Sequence, residues 1–327
     1  MDRARIEASR LIGTSPVLTV SAVLLAALLT LHRLVPDLPG RPGSLLETFL
    51  PWLGVSVPLL VGAAVLRRSA VASFAVLLPV AAWLALFGAL PLPGAGGAPG
   101  APGAPGTDDG RALVAVQHNV ADDNPDPAGT ARALAAADAD LIALEELTPA
   151  ALPSYEAVLA AGYPDHTVHG TVGLWSRYPL VDVRPVDIRP TGVGPEWNRG
   201  LRATARTPRG DVAVYVAHLP SLRIGAHGFG SARRDESAVR LGAAVAAEPS
   251  RRVLLLGDLN GTVDDRGLAP LTSRLTAPGS GFAFSWPARF PLARIDQVLA
   301  RAATVTRVWS LPRTGSDHLP VAARVTL

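Results

Sequence analysis

The chain contains no cysteine, which excludes disulfides, thiolate metal sites and a cysteine nucleophile and leaves the redox compartment open. It contains no lysine either: all 30 basic residues are arginine. The pI near 9.9 therefore reflects side chains that barely titrate, and the formal net charge is only +3. From Arg111 onward 23 arginines stand against 21 acidic residues, with no basic run longer than two. A surface that tracks duplex nucleic acid is normally more basic. Aromatic residues make up 5% of the chain, which leaves little for a stacking groove along a single strand. Charged residues of both signs reach 17%, below the usual share of a soluble domain.

The place of charge is taken by apolar residues, 49% of the 327, and they are concentrated in residues 1–92. Three stretches, 16–35, 45–66 and 70–92, each hold roughly the 20 residues needed to span a bilayer. The first lies away from the N-terminus and is followed by two more, a pattern of spans and not of a cleaved signal peptide. The expectation is a cell-membrane segment of three transmembrane helices over 1–92, with 16–92 in the bilayer. Glu47 falls near an end of the second stretch, where an interfacial carboxylate is expected in preference to a functional intramembrane one. Arg3, Arg5, Arg10, Arg67 and Arg68 flank one side of these stretches, and Arg33 and Arg41 the other. Five arginines against two put the N-terminus inside and the domain that follows outside the cell. Residues 93–110 read PGAGGAPGAPGAPGTDDG. Three Gly-Ala-Pro repeats are too few for a collagen helix, so this stretch reads as an extended, flexible tether. Residues 111–327 are long enough for one large globular domain.

In that second half, alternating patterns predict strands at 112–118, 140–145, 166–176, 180–188, 200–207, 211–218 and 252–257. Helices are predicted at 127–138, 148–161 and 231–247, with two or three late strands from 295 onward. Strand pairs interleaved with helices suggest two packed sheets with helices outside. Near the C-terminus three short acidic signals come in a fixed order. Gly257-Asp258-Leu259-Asn260 follows an apolar run at 253–256, Ile295-Asp296-Gln297 comes next, and Ser316-Asp317-His318 precedes the last strand. Upstream, Asn119 ends a Val/Ala-rich strand, 140–146 ends in Glu145-Glu146, and the alternating strand 212–219 delivers His218. Carboxylates, amides and histidines brought to the mouths of buried strands suit a hard divalent cation and phosphate-ester chemistry.

The pieces HNV (118–120), DLIALEEL (140–147), GLWSRYPL (173–180), VAHL (216–219), LLLGDLN (254–260), RIDQVLA (294–300) and GSDHLPV (315–321) resemble, in order and spacing, the endonuclease/exonuclease/phosphatase superfamily. This is the metal-dependent group that includes pancreatic deoxyribonuclease, abasic-site endonucleases, sphingomyelinases and inositol-polyphosphate phosphatases. The resemblance spans about 111–327 and implies a four-layer α/β/β/α sandwich with its site at one edge of the paired sheets. It implies Glu146 as the metal ligand, in a Leu-Glu-Glu where the family has leucine–glutamine–glutamate. Glu145 is the alternative register, although strand alternation would turn the two side chains to opposite faces. By the same resemblance Asn119 helps position the metal or the phosphate, and Asp317 adds a metal contact. Asp258 orients or deprotonates the attacking water, Asn260 holds the phosphate, and His218 donates to a phosphoryl oxygen. Asp296 then orients and charges His318. The implied cofactor is Mg²⁺, with Mn²⁺ also suited.

Each residue alone has an ordinary reading: a strand-end histidine as a cap, Asp-Leu-Asn as a turn. The ordered set is what points to chemistry. His118, His166, His169 and His227 match a family position only by adjacency and read as satisfied structural residues. Trp175 reads as core filler and Arg177 as a structural ion-pair partner. Arg233, Arg234 and Arg240 fall on one helix, read as a solvated face or, for Arg234, as a contact to substrate phosphate. The function expected is hydrolysis of a phosphate ester, in nucleic acid or in a phospholipid or small phosphoester. An apolar loop for a lipid could come from 219–229 with Phe282, Phe284, Trp286 and Phe290. The alternative is a catalytically silent binding module on the same fold. No protein partner is inferred.

Overall fold

The computed structural model describes residues 15–88, 112–226, 228–278 and 281–327, and the chain divides into two compact units at Pro91/Leu92. The tether expected at 93–110 lies outside the described residues, as does His227.

The first unit is helical: α1 (Pro16–Leu31), α2 (Pro42–Thr48), α3 (Ser56–Leu66), α4 (Ala70–Ala75) and α5 (Leu77–Phe87). Two stretches, Pro16–Leu34 and Ala70–Phe87, are long and apolar enough to cross a membrane. The second expected span is not continuous, because Pro42–Thr48 and Leu50–Leu66 meet at a 68° bend. Pro51, which cannot donate a backbone hydrogen bond, lies in the 3₁₀ turn Leu50–Val55 that follows the break. The Trp83 indole donates to the Pro51 carbonyl at 2.9 Å. Side chains such as Phe74 and Leu66 point outward with nothing apolar from this unit over them, as lipid-facing residues do. Glu47 is fully buried.

The second unit holds two main sheets. The six-stranded sheet runs in the order β12 (Thr304–Ser310), β13 (Val321–Thr326), β1 (Ala112–Asn119), β2 (Leu141–Glu145), β4 (Val172–Ser176), β3 (Asp165–His169). The five-stranded sheet runs β11 (Asp296–Arg301), β10 (Val253–Asp258), β7 (Gly210–Ala217), β6 (Gly200–Thr207), β5 (Leu180–Pro185). The strand expected over 166–176 is thus a hairpin of two strands turning at Gly170, whose φ is +59°. A further small hairpin, β8 (Arg223–Gly225) with β9 (Gly228–Gly230), was not foreseen by periodicity, since three-residue strands carry too little of it.

Side-chain alternation builds the layers. Leu113 and Ala115 of β1, Leu141 and Ala143 of β2, and Leu254 and Leu256 of β10 share one core between the sheets. Their neighbours Val116, Ile142 and Leu144 face away and pack with Leu134 of α6 (Pro127–Ala135) and Tyr155 of α7 (Leu152–Leu159). Val253 and Leu255 face the other way, onto Leu241 of α8 (Ala232–Ala246) and Leu271 of α9 (Ala269–Thr272). Four layers result, helices outside two facing sheets, as the resemblance implies. α6 starts where Asp126 caps the Gly129 amide at 2.8 Å and Pro127 opens the first turn.

Topology then gathers the strand ends. β1 and β2 are parallel, so Asn119 pairs with Glu145 at their shared C-terminal end. β7 and β10 are parallel, which sets His218 beside Asp258, and β11 runs back antiparallel so that Asp258 pairs with Asp296. β13 runs antiparallel to β1 and brings 316–318 in just ahead of it. Gly257 lets β7 and β10 approach at this edge: a Cβ there would stand 1.9 Å from the Ala217 carbonyl oxygen.

Candidate active site

At the edge where these strands end, Asp258 is almost fully buried and surrounded by donors. Its Oδ1 accepts from the Asn260 amide at 2.9 Å, and its Oδ2 accepts from Asn119 Nδ2 at 3.1 Å and Asn260 Nδ2 at 3.3 Å. Asn260 adopts a φ of +46°, and its Nδ2 also donates to the Leu219 carbonyl at 2.9 Å. Both amides therefore hold the Asp258 carboxylate in place. Burial pushes Asp258 up to about 7, with the charge of Asp296 adding to it against the counter-pull of His318.

Two imidazoles face this carboxylate from different sides. His318 Nδ1 meets Asp296 Oδ2 at 2.8 Å, and its Nε2 looks toward Asp258 Oδ2 at 3.9 Å. Burial alone would lower His318, but the charges of Asp296 and Asp258 outweigh it and hold it at about 10. His318 is thus an imidazolium at neutral pH. Asp296 stays ionised: burial opposes that, and the imidazolium overcomes it. His218 is the opposite case. Arg199 Nη1 lies 3.1 Å from its Nδ1 and 3.4 Å from its Nε2; a guanidinium can only donate, and the shorter contact assigns the acceptor role to Nδ1 and the proton to Nε2. Nε2 faces Asp258 Oδ2 at 3.6 Å and Glu146 Oε1 at 3.7 Å. Burial and the Arg199 charge hold His218 well below its ordinary value, so the ring is neutral.

Behind this front row, Gln117 Nε2 bridges Glu145 Oε2 at 2.7 Å and Asp296 Oδ1 at 3.0 Å, all three fully buried. Burial, with the charges of Asp296 and Asp258, pushes Glu145 far above the carboxylate range. A neutral carboxyl presents one hydroxyl and one carbonyl, much as an amide presents a donor and an acceptor. With its carboxyl held toward the neutral form, Glu145 adds less charge to the site than the sequence suggests. Glu145 and Glu146 do part company as alternation requires. Glu146, just past the strand with a φ of +60°, carries a side chain that is 26% exposed and accepts only a 3.2 Å bond from the Asp122 amide.

Asp258, Asp296 and His318 bring ligand-type atoms within 4.8 Å of one another. Asp296 and His318 are engaged with each other, however, and an imidazolium has no lone pair to offer. Glu146 is a partly exposed carboxylate of the kind a hard cation takes; His218 Nε2 lies between it and Asp258, while the Asn119 side-chain oxygen accepts from the Ala121 amide at 3.0 Å. Asp317 sits at the rim, its side chain 68% exposed, near the Trp286 indole at 3.4 Å and His318 at 4.0 Å.

Arg234 is not a substrate contact. Its side chain is buried, its Nη2 meets Asp265 at 2.6 Å, its Nε meets Asp235 at 2.7 Å, and its Nη1 donates to the Asn260 carbonyl at 3.0 Å. The helix face it occupies packs inward, so it braces the loop that carries Asn260. Arg240 does lie on the solvated face, paired with Glu236 at 2.9 Å. Arg177 pairs with Asp138, and Trp175 fills the core. His118 is buried against Thr314 at 2.9 Å, and His166 reaches Glu156 at 3.3 Å. Arg199 and Gln117 were missed from sequence. For Arg199 a signal existed: counting back from the turn at 208–209 sets it opposite His218, whose amide donates to its carbonyl at 2.9 Å.

Residues 116–318 match the model of the Endonuclease/Exonuclease/phosphatase family. Among solved structures, D. rerio TDP2 complexed with a single-strand DNA product is similar at a TM-score of 0.54 and 17% identity, over 66% of this chain and 99% of that one. Sphingomyelinase C from Streptomyces griseocarneus is similar at 0.50 and 21%, over 65% and 99%. An endonuclease/exonuclease/phosphatase from Beutenbergia cavernae is similar at 0.52 and 21%, over 66% and 72%. No curated protein matches the chain. The ordered motifs, the two-sheet sandwich and the match over 116–318 lead to one assignment: this chain belongs to the endonuclease/exonuclease/phosphatase family.

Proposed function

We propose that the protein is a membrane-anchored, divalent-metal-dependent hydrolase of phosphate esters, with water as the nucleophile. The observation that carries the reading is one carboxylate, Asp258, set between a neutral imidazole and an imidazolium that is itself paired to Asp296 at 2.8 Å. Such a set separates the acid from the base at neutral pH.

Asp258, with its pKa near 7, orients the water and takes its proton. His318 offers its Nε2 proton to phosphoryl oxygen as charge builds, and Asp296 keeps that imidazole oriented and charged. His218, protonated on Nε2, donates a hydrogen bond to a second oxygen. Asn119 and Asn260 fix the Asp258 carboxylate, and Asn260 is close enough to exchange its 3.3 Å contact for a phosphate oxygen. Glu146, with buried Asn119 and, at the rim, Asp317, would hold Mg²⁺ or Mn²⁺, which when bound supplies positive charge for the phosphate. In this reading the enzyme belongs to the cell membrane as a multi-pass protein with its catalytic unit outside the cell; two stretches long and apolar enough to cross a bilayer support the membrane association, and the arginine bias of the flanks favours the orientation. The substrate is a phosphate ester of nucleic acid or of a phospholipid or small phosphoester. Exposed Phe290 and half-exposed Trp286, the latter beside Asp317, suit either a base or an acyl chain.

The test is turnover by the full chain in detergent, with Mg²⁺, on plasmid DNA, on sphingomyelin vesicles and on bis-p-nitrophenyl phosphate. Metal-dependent release on one or more of these, lost in Asp258→Ala, is the expected result. Turnover unaffected by that substitution would remove the basis of the reading.

A further inference from the structure

We propose that Arg199 is a phosphate ligand of this site, a guanidinium that takes a non-bridging oxygen of the substrate's phosphate group. The inference deepens the phosphoesterase reading and rests on it.

The other buried arginines of this unit engage protein oxygens with their guanidinium donors. Arg202 closes on Glu248 through two bonds of 3.0 Å. Arg234 closes on Asp235 and Asp265, and Arg294 fills its donors on the Gly281 and Phe282 carbonyls at 2.9 and 3.4 Å. Arg199 has no such partner: among the described residues it makes no ion pair. Its nearest polar contacts are Nδ1 and Nε2 of His218, at 3.1 and 3.4 Å, and its guanidinium lies over the Trp197 ring at 5.0 Å. Neither neighbour carries negative charge. A guanidinium is charged at every accessible pH and offers five N–H donors in a fixed plane. Here most of those donors point to nothing described, in a half-buried position where water is only partly available to satisfy them.

Its position gives that unmet capacity a direction. The β6–β7 register sets Arg199 across from His218, and His218 Nε2 in turn faces Asp258 and Glu146. Burial lowers Arg199, and the charges of Glu146, Asp258 and Asp122 act against that without touching the guanidinium. The guanidinium therefore stands at the side of the catalytic cluster, braced from behind by an indole and from the side by an imidazole. Planar N–H donors at such a place match the oxygens of a tetrahedral oxyanion. A purely structural arginine would be expected to close on Glu146 or Asp258, and it stops short of both.

The test uses the full chain in detergent and inorganic phosphate as the probe. Binding of phosphate is measured by calorimetry in the presence of Mn²⁺, and KM and kcat are measured on bis-p-nitrophenyl phosphate. The variants are Arg199→Gln and Arg199→Lys, each checked by near-UV circular dichroism and by Mn²⁺ affinity. The expected result for Arg199→Gln is weaker phosphate binding and a higher KM, each by about 10- to 100-fold, the range of one charge-assisted contact. Mn²⁺ affinity should be unchanged, and Arg199→Lys should recover part of the loss. Phosphate affinity and KM within about twofold of wild type in a folded Arg199→Gln would overturn the assignment. Equal losses in the lysine and glutamine variants, accompanied by weaker Mn²⁺ binding, would also overturn it, marking a role in holding the site's shape. Arg199-dependent phosphate binding without turnover would instead leave the ligand assignment standing and count against the hydrolase.

Discussion

Replacing Asp296 with asparagine keeps the shape of the site and removes the charge that sustains the His318 imidazolium. Asp296 Oδ2 lies 2.8 Å from His318 Nδ1, and its charge is the largest influence holding His318 at about 10 in place of 6.5. An asparagine oxygen can still accept from Nδ1, so orientation survives better than charge. Without the carboxylate, burial pulls the imidazole back toward its ordinary value of 6.5, with Asp258 still acting against burial. At about pH 8 the protonated fraction would fall from ~99% to ~3%, a loss of ~30-fold, whereas at about pH 6 it would fall by less than ~2-fold. The sign follows from the raised value: the charged form is complete below the lower value and disappears as pH rises through the upper one. The assay is the pH profile of kcat/KM on bis-p-nitrophenyl phosphate at saturating Mn²⁺. The wild type should lose activity only as pH nears 10, with an acid limb near 7 from Asp258. Asp296→Asn should lose its alkaline activity three or so units earlier. A variant profile parallel to that of the wild type, lowered by the same factor at every pH, would refute the charge argument.

Two further outcomes follow from the geometry. Glu146→Gln should weaken Mn²⁺ binding by about tenfold or more, read by electron paramagnetic resonance; unchanged affinity would move the cation to other ligands. Glu248→Ala, far from the chemistry, leaves the Arg202 guanidinium buried without its partner and should cost about 3–5 kcal/mol in thermal or urea unfolding. Burial opposes ionisation of Glu248, but bonds from Arg202, Ser250 and Tyr215 hold it down at about 2. Its contribution is therefore complete above the unfolded carboxylate range and is lost as pH falls toward about 2.

The two-sheet architecture was legible because each long strand alternates cleanly: Leu254 and Leu256 turn one way, Val253 and Leu255 the other. The front row of the site was legible for the same reason, since Asn119, His218 and Asp258 all end such strands and Asp296 begins one. What sequence did not convey was what stands behind and beside them. Gln117 sits in mid-strand with no turn or motif to mark it, and only the packed sheets bring its amide to both Glu145 and Asp296. Glu145 looked like an extra charge, and only burial makes it neutral. Arg234 looked exposed because the first turns of its helix are charged at four consecutive positions, 233–236, yet that one position faces Asp265. The second apolar stretch looked like one span because hydropathy does not register the break that bends it.

The central claim, that this edge of the sandwich hydrolyses phosphate esters with a divalent cation, is met most directly by one comparison. Turnover of bis-p-nitrophenyl phosphate by the full chain is measured with Mg²⁺, with Mn²⁺ and with chelator, for the wild type and for Asp258→Asn. The expected result is turnover with either cation, none with chelator, and a loss of at least about 100-fold in the variant at all pH values, as for removal of a general base. Turnover that persists in chelator, or an Asp258→Asn enzyme as fast as the wild type, would contradict it.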